Sequence, residues 1–235
     1  MTTTRAAPSA RPAPVHLLAG SPGARKNVYR PLFGELLRLA GSPKPVVAYL
    51  GAATDDDPRF LGFMEGLVTS AGACEFLLAP VKGRKAQKGA ARRIIEGADL
   101  VFLGGGDVEL GMQRLGDHDL AQVLAKKHAS GAPVFGISAG AILLCRKWIR
   151  WSDPDDDGSA ELFDCLGLAP VLCDCHSEED GWSELRALLR LAGGRSLGHG
   201  LRTGAAIRVG ADGAVVSVCG EVDRLQRRGG EIVAI

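Results

Sequence analysis

The 235-residue sequence has few aromatic residues, no excess of charge of one sign and no long apolar run. Aromatic side chains make up only 5% of the chain, so we expect a mainly aliphatic core. The 28 basic and 27 acidic residues leave a formal charge of +1, which gives no overall field to attract nucleic acid or an anionic membrane. No apolar run reaches the roughly 18 residues of a membrane span, and no apolar signal segment follows Met1. These absences favour a cytoplasmic protein without nucleic-acid or membrane partners.

The cysteines are few and scattered, which is typical of reduced thiols in a chain large enough to fold without disulfides. The six cysteines are Cys74, Cys145, Cys165, Cys173, Cys175 and Cys219. A zinc site at Cys165, Cys173, Cys175 and His176 is an alternative, but these residues lack the paired spacing of common zinc motifs. We therefore expect neither a metal nor a cofactor.

Short apolar runs alternate with helical patterns along most of the chain. The predicted strands lie at residues 15–19, 46–50, 75–78, 99–103 and 133–137, and the predicted helices between them include residues 27–39, 58–72, 85–97 and 119–130. This alternation predicts a three-layer α/β protein, doubly wound around a mainly parallel sheet, and two later runs at 205–209 and 214–219 predict a C-terminal β-hairpin. We expect residues 1–14 to form a flexible tail and residues 15–235 to form a single domain.

The pentapeptide from Gly136 to Gly140 has the pattern G-x-S-x-G and lies between a predicted strand and a helix-compatible segment. At such a turn the side chain of Ser138 would project above the sheet, and the N–H of Ala139 could donate to an oxyanion. A serine that only caps the following helix would give the same pattern. The motif therefore makes Ser138 a candidate nucleophile that still needs a base.

Two of the five histidines lie near the ends of predicted strands, where α/β proteins gather functional side chains. His176 follows a predicted strand at 171–173 and is the better candidate base, with His199 in reserve. His16 lies inside the first strand, and we expect His118 and His128 to be solvated or locally bonded near a helix.

A second glycine-rich segment, Gly104-Gly105-Gly106-Asp107, follows the predicted strand 99–103. Its backbone N–H groups could bind an oxyanion or a small anion. An ordinary glycine turn with Asp107 as a helix N-cap is the alternative.

Together these segments resemble peptidase family S51, the peptidase E (aspartyl dipeptidase) and cyanophycinase group, whose fold is like that of class I glutamine amidotransferases. The resemblance rests on Phe102 to Asp107, Gly136 to Ala141, and Leu166-Gly167-Leu168 leading to Asp174-Cys175-His176. It implies a serine peptidase of the dipeptidase E or cyanophycinase kind, which hydrolyses small peptides through an acyl-enzyme.

The resemblance also implies roles for individual residues. Ser138 would be the nucleophile, His176 the base, and Asp153 the acid that orients the histidine, with Asp174 as an alternative acid. Gly105 or Gly106 and Ala139 would supply the oxyanion donors, with Asp107 beside them in the substrate-binding segment. No cofactor is implied, and a homodimer is compatible with the resemblance.

The segment after His176 departs from the family pattern, which usually has an aromatic residue after the histidine and arginines a few positions on. In this sequence the residues that follow are Ser177, Glu178, Glu179, Asp180 and Trp182. These carboxylates make aspartyl specificity doubtful and favour a substrate with an amino group or a basic side chain.

Three other interpretations remain. An α/β-hydrolase usually separates its catalytic residues more widely, a glutamine amidotransferase needs a cysteine in place of Ser138, and a catalytically silent protein would use the same fold to bind a small molecule or partner.

Overall fold

The computed structural model describes residues 12–20, 27–82, 88–153 and 156–235. Most of the predicted tail, residues 1–11, lies outside these ranges. The first part of the chain alternates strands and helices, and the described elements are β1 (Val15–Leu18), α1 (Arg30–Leu39), β2 (Val46–Leu50), α2 (Pro58–Thr69), β3 (Glu75–Leu78), α3 (Lys88–Gly97), β4 (Leu100–Leu103), α4 (Val108–Asp117), α5 (Leu120–Ala129), β5 (Val134–Ile137) and α6 (Ala139–Leu144).

The second part is richer in strands. Its described elements are β6 (Lys147–Trp151), β7 (Ala160–Asp164), β8 (Leu172–Cys175), α7 (Ser183–Ala192), β9 (Leu197–Leu201), β10 (Ala206–Val209), β11 (Val215–Cys219), β12 (Val222–Arg228) and β13 (Glu231–Ala234). None of the helices in the described ranges is long and apolar enough to cross a membrane.

The central sheet has seven strands in the order β11-β10-β1-β5-β4-β2-β3. The five strands from β1 to β3 in this order are parallel, and β10 and β11 extend the sheet as an antiparallel hairpin. The α/β fold and the C-terminal hairpin are therefore confirmed. The chain continues beyond this hairpin into strands that the sequence did not predict.

Alternating strand residues fill two cores, one on each face of the sheet. On β1, Leu17 belongs to the core under α3, α5 and α6, whereas Leu18 belongs to the core under α1 and α2. The second core contains an aromatic stack in which the ring centroids of Phe102 and Phe135 are 4.5 Å apart. This alternation is expected for strands that are buried on both faces, and it produces the three layers.

Two smaller sheets pack beside the central one. Strands β6 and β7 form an antiparallel hairpin, and the other sheet has the order β13-β12-β9-β8, with β8 and β9 parallel. Because β8 ends at Cys175, this second sheet carries His176 towards the carboxyl ends of β4 and β5.

Candidate active site

Ser138 occupies a strained turn between β5 and α6. Its backbone angles are φ 54° and ψ −125°, a conformation that L-residues rarely adopt. Its N–H donates to the carbonyl of Leu18 at 2.8 Å, which holds the turn against β1. A Cβ at Gly140 would overlap the carbonyl oxygens of Leu103 and Gly104, so the second glycine of the motif permits close packing against β4. The sharp turn expected from G-x-S-x-G is therefore present.

His176 lies directly after β8 and also has a positive φ, 48°. Its N–H donates to the carbonyl of Leu201 at 2.8 Å, so the turn is anchored to the end of β9. Its Nε2 lies 2.7 Å from Oγ of Ser138, which is a normal hydrogen-bond distance. The structure thus brings together the hydroxyl and the imidazole that the sequence singled out.

Backbone amides from two segments lie near the candidate nucleophile. A Cβ placed on Gly105 would lie 3.1 Å from Cβ of Ser138, so this glycine is in direct contact with the candidate nucleophile. Ala139 is the first residue of α6, and no earlier carbonyl of the helix can accept its N–H. Within the described ranges, the N–H groups of Gly105 and Gly106 make no backbone hydrogen bond. These three amides have the chemistry that an oxyanion requires.

A cleft of about 350 Å³ opens beside Ser138 and His176. Asp107 lies on its rim as the N-cap of α4, where its Oδ1 accepts from the N–H of Leu110 at 2.7 Å. Trp148 and Trp151, on β6, supply aromatic surface. The cleft also contains Glu109, Asp174 and Glu184, so its charge is mainly negative. The acidic residues Glu109 and Glu184 were not predicted, because a helix pattern does not tell which residues of the helix will face a cleft.

Asp153 lies shortly after β6, the hairpin strand that lines one side of the cleft. It is exposed, its N–H donates to Oγ of Ser159 at 3.0 Å, and its carbonyl accepts from the same hydroxyl at 2.7 Å. The residue is thus fixed by its backbone in the loop that connects β6 to β7. Its role as the orienting acid stays a prediction.

Asp174 is 2% exposed, and it lies on β8 two residues before His176. Its Oδ1 accepts from the N–H of Cys175 at 2.7 Å and from the hydroxyl of Ser177 at 3.3 Å. Within the described residues, its buried Oδ2 has no hydrogen-bond partner. Burial raises the pKa of Asp174 to about 7, and the nearby negative charge of Glu184 adds to this effect.

The acidic segment after His176 lines a second recess, of about 440 Å³, which His176 also borders. Glu178 is held there, because its Oε1 accepts from the N–H of Thr203 at 3.0 Å. Burial opposes ionisation of Glu178, but hydrogen bonds from its own backbone and from Thr203 hold its pKa below the usual value. Carboxylates therefore line both recesses that border the candidate base.

The remaining histidines are buried away from the hydroxyl. His199 lies inside β9, not near a strand end as the sequence suggested, and burial lowers its pKa to about 4, with a contribution from Arg224. His16 is inside β1, as predicted, and burial lowers its pKa to about 4 as well. His118 and His128 are also buried, and Nε2 of His128 lies 2.7 Å from the carbonyl oxygen of Ala13.

The cysteines lie mostly in the core. Cys145, Cys173 and Cys175 are buried, Cys165 is partly buried, and the Sγ atoms of Cys145 and Cys173 are 3.2 Å apart. In the part of the chain that the structure describes, no group of three or more His, Cys, Asp or Glu side chains is arranged to hold a metal ion.

Known peptidases are similar to this chain in sequence and in fold. The model of peptidase family S51 matches residues 16–216 of the chain. Among solved structures, a peptidase from an acI-B1 Actinobacterium superposes with a TM-score of 0.68 at 16% identity, covering 96% of this chain and 98% of its own. A peptidase E-like protein from Listeria monocytogenes EGD-e superposes with a TM-score of 0.63 at 16% identity, covering 89% of this chain and 100% of its own. At such identities these two structures support the fold alone.

The similarity to curated sequences is local. Peptidase E from Actinobacillus pleuropneumoniae serotype 5b (strain L20) is 44% identical over 50 residues, and peptidase E from serotype 3 (strain JL03) matches equally well. Each alignment spans 21% of this chain and 21% of the relative.

Proposed function

Because the chain belongs to peptidase family S51, a family of serine-type hydrolases, we propose that it is a serine peptidase that hydrolyses small peptides. The observation that carries the proposal is the 2.7 Å contact between Oγ of Ser138 and Nε2 of His176. A serine hydroxyl is a weak nucleophile, and a base at hydrogen-bond distance is the feature that activates it.

The reaction begins as Oγ of Ser138 attacks the scissile carbonyl carbon and Nε2 of His176 takes the hydroxyl proton. The carbonyl oxygen becomes an oxyanion, which accepts hydrogen bonds from the N–H of Ala139 and from Gly105 or Gly106. The protonated His176 then donates its proton to the leaving amine as the peptide C–N bond breaks.

Water completes the cycle. His176 removes a proton from a water molecule that attacks the acyl-enzyme, and the proton returns to Oγ of Ser138 as the ester bond breaks. Asp153 is our proposed orienting acid, which would stabilise the imidazolium through the other ring nitrogen. The second recess, which His176 and Glu178 line, is our proposed site for the part of the peptide on the other side of the scissile bond.

Covalent labelling tests this proposal without knowledge of the substrate. A fluorophosphonate probe reacts with activated serines, so we expect one modified peptide containing Ser138, located by mass spectrometry. Ser138→Ala should abolish the labelling and His176→Gln should slow it by about a hundredfold or more. Ser130→Ala, which changes an exposed serine at the end of α5, is the matched control. Absence of labelling in a folded protein would refute the proposal and favour a catalytically silent binding protein.

A further inference from the structure

The carboxylates of the cleft come from three separate elements. Asp107 and Glu109 lie at the start of α4, Asp174 lies at the end of β8, and Glu184 lies in the first turn of α7. The basic residue on the lining is Arg150, whose Nε donates to Oε1 of Glu161 at 2.7 Å. Since that guanidinium already has a carboxylate partner, the cleft beside the hydroxyl keeps an excess of negative charge.

Asp174 lines this cleft and has a buried oxygen, Oδ2. The same carboxyl group uses its other oxygen to accept two hydrogen bonds, whereas Oδ2 has no partner within the described residues. A buried carboxyl oxygen without a donor is costly, and native proteins usually satisfy such atoms. A cationic ligand that enters the cleft can supply such a donor.

Glu184 strengthens this expectation. It is partly buried, and burial raises its pKa, with a contribution from the charge of Asp180. Burial likewise accounts for most of the raised pKa of Asp174. Two carboxyl groups that burial makes hard to ionise would both become easier to ionise beside a bound cation. The side chains of Trp148 and Trp151 can pack against the methylene groups that carry such a cation.

We propose that this cleft selects substrates that carry an ammonium or guanidinium group, and that Oδ2 of Asp174, together with Glu184, receives that group. The inference rests on the proposed peptidase function and deepens it by assigning the substrate class. It places the specificity on β8 and α7, in addition to the Glu178–Glu179 segment that the sequence indicated. The cation can be the free α-amino group of a short peptide or the side chain of lysine or arginine, and the two sources are separable by experiment.

The test compares amide substrates that differ only in the charged group. Lysine is paired with norleucine, arginine with citrulline, and a free amino terminus with its acetylated form. We expect kcat/KM to be at least about tenfold higher for the cationic member of one or more pairs, the size expected for a charged hydrogen bond. The pair that shows the difference identifies the source of the cation. Equal rates within all three pairs would overturn the inference.

Two variants assign the effect to the named residues. Asp174→Asn keeps an oxygen that can accept from Cys175 and Ser177 while removing the charge, and Glu184→Gln removes the other charge. Each should lower kcat/KM for the cationic substrate by about tenfold or more and for its neutral partner by less than about threefold. Glu75→Gln, at the start of β3 and the opposite end of the sheet, is the control and should change neither. An equal loss on both substrates would contradict the inference and show that Asp174 only positions the His176 turn.

Binding to an inactive variant separates this inference from the proposed function. Ser138→Ala keeps the cleft, so calorimetry with lysinamide and argininamide should detect binding that Asp174→Asn weakens by about tenfold in the same background. Binding should also release protons, because a carboxyl group with a pKa of about 7 ionises beside the cation. Failure of fluorophosphonate labelling with this binding intact would refute the peptidase alone. Labelling without any cation preference or cation binding would refute the selectivity alone.

Discussion

Ser138 and His176 both have positive φ, 54° and 48°, and their side chains meet at 2.7 Å between Oγ and Nε2. Neither residue is a glycine, so each turn holds an L-residue in a conformation that costs on the order of 1–3 kcal/mol. Packing against β1 and β9 maintains these conformations, because the N–H of Ser138 bonds to Leu18 and that of His176 to Leu201. The site therefore stores strain at both of its central residues.

This strain predicts that, at position 138, the glycine variant has a higher free energy of unfolding than the alanine variant, the reverse of the usual order. Ser138→Gly removes the Cβ that makes φ 54° unfavourable, whereas Ser138→Ala retains it. We expect the glycine variant to be more stable than the alanine variant by about 1 kcal/mol in urea unfolding. At Ser130, where φ is −75°, glycine should have no such advantage over alanine. A glycine variant that is less stable at position 138 would show that the turn is not strained.

Gly105 gives the next prediction, since it touches the candidate nucleophile. In Gly105→Ala the new Cβ would be 3.1 Å from Cβ of Ser138 and 3.3 Å from the carbonyl oxygen of Ile137, so the turn must shift by a few tenths of an ångström. We expect the rate of fluorophosphonate labelling to fall about tenfold, because small displacements of a nucleophile are costly. Gly116→Ala, on α4, meets nothing within 4 Å and should label normally. Equal labelling rates in the two variants would argue against tight packing at Gly105.

The sequence predicted the parts of this site that depend on strand ends. Ser138 and His176 each follow an apolar run, and such runs end at the edge of a sheet where functional side chains gather. An N-cap at Asp107 was one of the two interpretations of the second glycine-rich segment, and the Asp107 side chain does accept from the N–H of Leu110. These features depend on short-range chemistry that a sequence displays directly.

The missed elements depend on tertiary packing. Strand β9 contains Gly198 and Gly200, which weaken a strand pattern. In the structure a Cβ at Gly200 would lie 2.6 Å from the indole of Trp182, and one at Gly198 would lie 2.7 Å from Leu185. These glycines therefore admit side chains from the α7 region, a reason that only the assembled fold reveals. Strand β12 has a weak apolar–polar alternation because charged residues fill most of its length, so the sequence did not predict this strand either.

The orienting role proposed for Asp153 gives a further prediction. If this carboxylate orients the imidazole, Asp153→Asn should reduce kcat by about a hundredfold or more with little change in the amount of folded protein. Asp156→Asn is a matched control in the same hairpin, where the native carboxylate accepts from the N–H of Gly158. If Asp153→Asn leaves kcat unchanged and Asp174→Asn reduces it for cationic and neutral substrates alike, the orienting role belongs to Asp174.

The buried histidines predict how stability depends on pH. His16 and His199 have pKa values lowered to about 4, mainly by burial, whereas an unfolded histidine titrates near 6.5. At these two histidines the unfolded chain therefore binds more protons than the native chain between these values, so their contribution to the free energy of unfolding falls as pH drops from about 6.5 towards 4, whereas Asp174, with its raised pKa, contributes in the opposite direction. Each pKa unit corresponds to about 1.4 kcal/mol, which gives a loss on the order of 2–3 kcal/mol for each histidine. Urea unfolding at several pH values measures this slope.

His199→Gln isolates one of the two contributions. Glutamine does not titrate, so the variant should lose less stability than the native protein between pH 6.5 and 4.5, whatever its stability at pH 7. The same variant should still be labelled by the fluorophosphonate, because His199 lies inside β9 and His176 is the histidine in contact with Ser138. An unchanged slope would show that His199 is accessible to protons in the native state. Loss of labelling in a folded variant would instead restore His199 as a candidate base.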